Sequence, residues 1–285
     1  MIPVGVFSLG TDLTVDYAEL AKRAEELGFA SFWLPEHPII PVHCQTQYPG
    51  SADGSIPELF SHMVDPFITL AHISGATKQI KLGTGVCLVP ERNPLLLAKE
   101  IATLDQLSGG RVLFGIGAGW LKEEIDIMGG DPTHPWAQTK ESILAMKELW
   151  TKAEAEYHGK YYNFPAVRSF PKPLQKPHPP VLLGGGAKNV FKRIVAWGDG
   201  WLPTLLPFEE IERGRKELNA LAQQAGRDPR SISVFAFGQA GQYRTRAEVE
   251  ALERAGVNHA TIWLTAEGAK KLTELEELAR QVLRA

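Results

Sequence analysis

Glycine-rich turns follow two of the apolar runs in this sequence and could bring the backbone close to a ligand. Residues 115–119 read GIGAG and lead directly into Trp120. Glycine has no Cβ, so the backbone here can approach a flat or anionic ligand closely. The spacing differs from the GxGxxG pattern of dinucleotide-binding folds, which excludes that interpretation. A tight turn between a strand and a helix is the alternative explanation.

The second glycine run consists of Gly184, Gly185 and Gly186 and is followed by Ala187 and Lys188. A helical pattern begins at this point. The free N–H groups and the dipole at a helix N-terminus favour a bound phosphate, and Lys188 would add positive charge. These residues predict an anion site, although a simple turn could need the same glycines.

A glutamate and a histidine end another apolar run, which reads FWLPEH at residues 32–37. His37 could donate a hydrogen bond to a cofactor carbonyl or transfer a proton near neutral pH. Glu36 is better suited to hydrogen bonding than to acting as a base. The next run ends in GTGV at residues 83–86, where small side chains would leave space for a ring system. For His37, the alternative is packing against the long loop that follows. For residues 83–86, the alternative is packing in the protein interior.

The other histidines and the cysteines do not predict a metal centre. His43, Cys44, His62 and His72 lie on a predicted loop and helix, without HxH or CxxC spacing. The absence of GxSxG and P-loop motifs argues against a serine hydrolase or an NTPase. Cys87 lies within an apolar run and is expected to be a buried thiol.

Eight short apolar runs alternate along the chain with segments of helical periodicity. Runs that are apolar throughout are typical of parallel strands buried on both faces. Asn93 and Pro94 open one of the helices as a cap and a first-turn proline. Eight such units in 285 residues predict a single (β/α)8 TIM barrel over residues 1–285, with a doubly wound sheet as the alternative. The predicted strands are residues 4–8, 31–34, 80–86, 111–117, 180–184, 200–204, 231–237 and 259–264.

Two connections are too long for a simple strand–helix unit. Residues 36–65 follow the second predicted strand, and residues 121–179 follow the fourth. The latter contains a predicted helix at about 139–150 and an aromatic, proline-rich stretch at 156–173. Both insertions leave from C-terminal strand ends, where barrel active sites lie, so they are expected to form walls or a lid. Surface decoration is the alternative.

Composition restricts the function further. The chain is 44% hydrophobic and 22% charged with a net charge of −3, which is ordinary for a globular protein. No basic stripe indicates nucleic acid or anionic lipid as a partner. No apolar run approaches the ~18 residues of a membrane span, and the N-terminus does not read as a signal peptide. A soluble cytoplasmic protein is therefore expected.

Together, these motifs resemble the bacterial luciferase-like monooxygenase superfamily, and within it the actinobacterial branch assigned to the deazaflavin coenzyme F420. The resemblance covers most of residues 4–203, is most specific over 80–124 and is loose from about residue 207 onward. The segments that carry it are FWLPEH (32–37), IKLGTGVCLVPERNPLLLAKEIATLDQLSGGR (80–111), FGIGAGWLKEE (114–124), PVLLGGG (180–186) and GDGWLP (198–203).

The resemblance implies a TIM barrel, usually a homodimer, with a flavin or deazaflavin ring in its mouth. It implies a cis peptide between Gly85 and Val86 behind the ring, a phosphate at the helix after the fifth strand, and His37 as the catalytic residue. No metal is implied. The implied cofactor-binding residues are Glu36, Gly85, Val86, Gly117, Ala118, Gly119, Trp120, Gly185, Gly186, Ala187 and Lys188.

Trp120 departs from one pattern of this superfamily. In its F420-dependent sugar-phosphate dehydrogenases, the residue after the glycine turn is an acidic proton donor. Trp120 argues against that chemistry and that substrate, and it leaves His37 as the candidate proton donor.

The leading functional hypothesis is hydride transfer between F420 and a small organic substrate. The alternatives are an FMN-dependent monooxygenase supplied by a separate reductase and a non-catalytic flavin-binding protein. Coenzyme F420 carries an acidic tail, so the basic residues Lys188, Lys192 and Arg193 favour it slightly.

Overall fold

A closed barrel of eight parallel strands forms the centre of the molecule. The computed structural model describes residues 1–13, 16–186, 189–204 and 206–284. Its strands are β1 (Val4–Phe7), β2 (Ser31–Leu34), β3 (Lys81–Thr84), β4 (Cys87–Leu88), β5 (Val112–Gly117), β6 (Ala155–His158), β7 (Asn163–Val167), β8 (Val181–Gly184), β9 (Gly200–Leu202), β10 (Ser233–Phe237) and β11 (His259–Trp263).

The order of the strands shows how the barrel closes. Neighbouring strands pair in the order β3, β2, β1, β11, β10, β9, β8 and β5, and β5 pairs back onto β3. All of these pairings are parallel. The TIM-barrel prediction is therefore confirmed, and the doubly wound alternative is wrong because the pairing of β3 with β5 leaves no open edge.

Helices surround the barrel. They are α1 (Tyr17–Leu27), α2 (Pro66–Ala76), α3 (Pro94–Leu107), α4 (Lys122–Ile127), α5 (Pro135–Thr151), α6 (Val190–Trp197), α7 (Phe208–Gln224), α8 (Arg246–Arg254) and α9 (Lys270–Leu278). Shorter helical turns cover Glu58–His62, Val89–Glu91, Pro229–Ser231 and Ala279–Leu283. Within the described ranges, no helix is long and apolar enough to cross a bilayer.

Local sequence signals account for several of these boundaries. Asn93 caps α3 as predicted, because its side chain accepts hydrogen bonds from the N–H groups of Leu95 and Leu96. Each of the eight predicted barrel strands is present, with ends displaced by one or two residues. The third predicted run, residues 80–86, contains β3, and its last two residues, Gly85 and Val86, separate β3 from β4. Cys87 is buried, and both cysteines are free thiols.

The barrel interior is filled mainly by large apolar side chains. Trp33 lies inside it with Leu113, Leu182 and Phe237. A Cβ on Gly83 would lie 2.0 Å from the Trp33 ring, so a glycine is needed opposite this indole. Gly83 therefore makes room for Trp33 in the barrel interior. The mouth of the barrel lies further along the chain, towards Gly85.

The two insertions occupy different places. The first, residues 36–65, is mostly irregular and lies at the C-terminal strand ends, where Phe60 and Tyr48 pack against His37 and Trp120. The second contains α4, α5 and the antiparallel hairpin of β6 and β7. That hairpin packs mainly along α5 on the outside of the barrel, so the expectation that the whole second insertion covers the mouth needs correction. The hairpin was missed because Pro165 interrupts its second strand.

Candidate active site

The floor of the barrel mouth is built around Val86. The peptide bond between Gly85 and Val86 is cis, as the sequence resemblance implied. A Cβ on Gly117 would lie 2.7 Å from Val86 Cγ2, and one on Gly184 would lie 2.9 Å from Val86 Cγ1. A Cβ on Gly85 would likewise lie 2.8 Å from the ring of Phe237. The missing side chains of Gly117 and Gly184 thus leave room for Val86 at the ends of β5 and β8, and that of Gly85 leaves room for Phe237.

The glycine turn after β5 continues this surface towards Trp120. Ala118 is buried, and Gly119 has a φ of +80°, a backbone conformation that residues other than glycine rarely adopt. A Cβ on Gly119 would lie 3.0 Å from Ile125 and 3.2 Å from Oε1 of Glu91. The turn is therefore packed from behind by α4 and by the segment that follows β4.

His37 is held between an acidic residue and an indole. Its Nδ1 lies 2.7 Å from Oε2 of Glu124, and its Nε2 accepts a hydrogen bond of 3.2 Å from Nε1–H of Trp120. The side chains of His37 and Glu124 are only 8% and 1% exposed. Because an indole can only donate, Nε2 is the acceptor and the ring proton lies on Nδ1, facing the carboxylate.

This arrangement defines what the imidazole can do. A carboxylate on Nδ1 fixes the orientation and tautomer of the ring and would stabilise the imidazolium formed when Nε2 takes up a proton. His37 is thus arranged as a base at Nε2, and in the reverse direction the imidazolium would be the acid.

Aromatic side chains from the first insertion enclose His37. The ring of Phe60 stacks on the imidazole at 5.3 Å between centroids, with 15° between the planes. Tyr48 contacts Phe60 at 5.0 Å and Trp120 at 5.2 Å. These contacts exclude water from one face of the imidazole and restrict its motion.

Glu36 links the second strand to the backbone after the cis peptide. Glu36 is 3% exposed. Its Oε2 accepts a hydrogen bond of 2.7 Å from the N–H of Leu88, and its Oε1 accepts one of 2.6 Å from Nε–H of Arg92. Arg92 also donates to Asp65 at 2.6 Å. The carboxylate of Glu36 therefore positions the strand end beside Val86.

The first turn of α4 holds the first insertion in place. Oε1 of Glu123 accepts hydrogen bonds from the N–H groups of Gln45 (2.7 Å) and Thr46 (3.1 Å), while Glu124 accepts one from Ile39 N–H at 3.4 Å. The N–H group of Gln45, followed by the side chain of Thr46, lowers the pKa of Glu123 to about 2. Neighbouring carboxylates on one helix turn thus anchor both the loop and the imidazole.

Glu91 is a buried carboxyl group without a hydrogen-bond partner. It is 4% exposed, and neither of its oxygens has a partner among the described residues. Burial, followed by repulsion from Glu124 and Glu36, raises its pKa to about 9. Glu91 is therefore protonated at neutral pH and is an uncharged neighbour of Glu124 and Glu36.

The predicted anion site is described only in part. Gly185 has a φ of +84°, and a Cβ there would meet open space. Helix α6 begins after Asn189 without a side-chain cap. Ala187 and Lys188 lie outside the described residues. The nearby basic residue Lys192 is exposed. The guanidinium carbon of Arg193 lies 4.5 Å from the centre of the Trp136 ring.

The described site residues converge at the C-terminal end of the barrel. His37 and Trp120 contact each other directly, Glu36 holds the backbone beside Val86, and Gly117 and Gly184 surround that valine. Sequence reasoning missed Glu124, Glu91, Arg92, Tyr48 and Phe60. Glu124 had a detectable signal, because it follows the glycine turn within a short acidic helix. The other four depend on long-range packing.

Replacing Glu91 by glutamine should increase stability most at alkaline pH. The pKa of Glu91 is raised from 4.5 to about 9, so its contribution to stability is present below pH 4.5 and is lost as pH rises towards 9. Glu91→Gln removes this loss. We expect the free energy of unfolding, measured with urea, to increase by about 2 kcal/mol at pH 8. The increase at pH 5 should be much smaller.

The matched control for this prediction is Glu217→Gln, an exposed change on α7 that should shift stability by less than about 0.5 kcal/mol at either pH. An equal effect of Glu91→Gln at pH 5 and pH 8 would contradict the protonated assignment.

Comparisons with known proteins identify the family of this chain. The family model "Luciferase-like monooxygenase" matches residues 10–284. An uncharacterised protein of Mycobacterium tuberculosis is 39% identical over 226 residues, covering 79% of each chain. The oxygenase component of a flavin-dependent trigonelline monooxygenase from Acinetobacter baylyi is 30% identical over 210 residues, covering 72% of this chain and 53% of that protein.

Among solved structures, an F420-dependent secondary alcohol dehydrogenase in complex with an F420-acetone adduct aligns with a TM-score of 0.78 at 19% identity. The alignment covers 99% of this chain and 98% of that one. At this identity the likeness concerns the fold alone. The family match over nearly the whole sequence, on a closed barrel of the expected topology, establishes that this chain belongs to the luciferase-like monooxygenase family.

Proposed function

We propose that this protein is an oxidoreductase that transfers a hydride between coenzyme F420 and a small organic alcohol or ketone. The observation that carries the proposal is the hydrogen-bonded pair of His37 and Glu124 beside the glycine-lined floor. Oxidation of an alcohol to a carbonyl requires a base for the hydroxyl proton, and the reverse reaction requires an acid. The pair can supply either.

The barrel mouth fits a planar ring system. Gly117 and Gly184 leave Val86 as an apolar surface at the ends of β5 and β8, and the open side of Gly185 lies near the start of α6. In the proposal these residues hold the ring and the phosphate of the cofactor, while Glu36 acts indirectly through the backbone that it fixes. When bound, the deazaflavin would accept or supply the hydride.

The residues of the chain position the substrate and move its proton. His37 Nε2 takes up the hydroxyl proton of an alcohol, and Glu124 stabilises the resulting positive charge through Nδ1–H. In this step the substrate hydroxyl replaces the indole N–H of Trp120 at Nε2. Phe60 and Tyr48 exclude water from the imidazole, which strengthens its interaction with the carboxylate.

An FMN-dependent monooxygenase supplied by a separate reductase is the second candidate. It is favoured by the 30% identity to the oxygenase component from Acinetobacter baylyi. In that case the same floor would hold the FMN ring.

Titration of the cofactor-free protein with F420 and with FMN should distinguish the two candidates. We expect F420 to bind at micromolar concentration or tighter, as measured by the fluorescence of its ring, and FMN to bind at least tenfold more weakly. Gly186→Val should weaken F420 binding at least tenfold, because its new side chain would narrow the proposed phosphate site beside Leu206.

Gly75→Val is the control for that variant, since Gly75 is exposed on α2 with open space around it, and F420 affinity should not change. Tight binding of FMN without binding of F420 would contradict the first candidate.

Substitutions in the proton-transfer pair should lower turnover more than substrate binding. We expect His37→Asn to reduce kcat about 10²–10⁴-fold and Glu124→Gln to reduce it about tenfold or more, with KM changed much less. His62→Asn is the matched control, because His62 forms a similar pair with Asp12 at 2.9 Å in an exposed position. Steady-state kinetics with F420 and a panel of secondary alcohols would measure this. Unchanged kcat in His37→Asn would refute the assigned role.

A further inference from the structure

A cavity of about 190 Å³ lies between the end of β11 and the segment that follows β1. We name it the β11 cavity. It has room for about one aromatic ring, since a cavity of about 150 Å³ holds benzene. Its walls do not include His37, Trp120 or Val86, so it is a different space from the candidate active site. The walls that matter most are Leu9, Leu59, Trp263, Leu264, Gly268 and Lys271.

The side chain of Lys271 reaches this cavity from the first turn of α9. Lys271 is only 6% exposed and lies on the buried side of the helix with Glu274 and Leu275. Within the part of the chain that the structure describes, its ammonium group forms no hydrogen bond and no ion pair. Lysines are almost never buried so deeply unless they are paired, because a charge removed from water needs a partner. Lys271 therefore has N–H donors that a ligand in the cavity could use.

The two carboxylates nearest to Lys271 do not provide this partner. Oε1 of Glu274 accepts a hydrogen bond of 2.7 Å from Nη1 of Arg244, and its Oε2 accepts one of 2.8 Å from the N–H of Ala266. Glu267 is exposed at the rim of the cavity. Both carboxylates act on the charge of Lys271 through space, but burial has the larger effect and lowers the pKa of Lys271.

The start of α9 adds a second preference for negative charge. No side chain caps this nine-residue helix. A Cβ on Gly268 would meet open space, so the backbone that leads into the helix is uncovered on the side of the cavity. The free N–H groups and the dipole at a helix N-terminus favour an anion. Because Lys271 lies in the same turn, one anion can contact both the ammonium group and the helix start.

The rest of the cavity is mainly apolar. Leu9, Leu59 and Trp263 are half-buried, and Leu264 is buried. Such walls favour an apolar group on the ligand, since contact with them removes that group from water. The carboxylate of Glu267 at the rim repels a second negative charge. A monoanion with one apolar group therefore matches the cavity better than a phosphate dianion.

We infer that the β11 cavity is a binding site for small monocarboxylates that carry an apolar group of about one ring, with Lys271 as the partner of the carboxylate. The carboxylate accepts hydrogen bonds from the ammonium group and from the start of α9, and the apolar group packs against Leu59 and Trp263. This site is separate from His37, and the inference does not depend on the proposed reaction.

Matched probes of one size test the preference for a carboxylate. Benzoate, benzamide and benzylammonium are titrated by calorimetry at pH 7 into the full chain without coenzyme. We expect benzoate to bind at least tenfold more tightly than either of the other two, because only benzoate can pair with Lys271. Inorganic phosphate should bind at least tenfold more weakly than benzoate, since it has no apolar group. Equal affinities for benzoate and benzamide, tighter binding of phosphate, or no binding of benzoate at millimolar concentration would overturn the inference.

Lys271→Met locates the binding. This change removes the ammonium group and keeps an apolar side chain of similar length, so it should weaken benzoate at least tenfold and leave benzamide unchanged. The matched control is Lys270→Met at the neighbouring exposed lysine, which should change neither affinity. Benzoate affinity that stays the same in folded Lys271→Met would refute the assignment.

A second variant tests the cavity without removing the charge. Ala266→Leu narrows the space beside Lys271 and should weaken both benzoate and benzamide at least tenfold. It replaces Lys271→Met if circular dichroism shows that the latter is unfolded. Unchanged affinity for benzoate in folded Ala266→Leu would place the binding elsewhere and would also overturn the inference.

Discussion

The hydrogen bond between His37 Nδ1 and Glu124 Oε2 is the contact on which the candidate site depends. It joins the end of β2 to the first turn of α4, two elements 87 residues apart in sequence. The same helix turn holds the backbone of the first insertion through Glu123. Without this anchor, Phe60 and Tyr48 would have no fixed partner at the barrel mouth. The first turn of α4 therefore fixes both the tautomer of His37, through Glu124, and the backbone of the first insertion, through Glu123.

Two buried carboxyl groups near His37, Glu91 and Glu124, differ in their hydrogen-bond partners. Burial and the neighbouring carboxylates raise the pKa of Glu91 to about 9, so it is neutral and does not compete with Glu124 for positive charge. Glu36 has its own cation in Arg92. Three acidic residues thus lie near the mouth with different partners: Glu124 contacts His37, Glu36 contacts Arg92, and Glu91 has no hydrogen-bond partner among the described residues. Glu124 is the carboxyl group that faces His37.

The sequence was sufficient for the barrel and for much of its mouth, because strand runs, glycine turns and caps are local patterns. His37 and the cis peptide at Gly85 followed from strand ends and family resemblance. The partners of His37 were not accessible in the same way. Phe60 reaches it from a single short helical turn inside the first insertion, and burial by distant segments raises the pKa of Glu91. Contacts that form only in the folded chain leave no local pattern.

His37 carries its proton on Nδ1, towards Glu124, and presents Nε2 as a hydrogen-bond acceptor. Nitrogen-15 NMR of histidine-labelled protein at pH 7, with His37 assigned from the spectrum of His37→Asn, measures this directly. We expect a protonated Nδ1 and an unprotonated Nε2, and loss of this strong tautomer preference in Glu124→Gln. A proton on Nε2, or a tautomer unaffected by Glu124→Gln, would contradict this assignment.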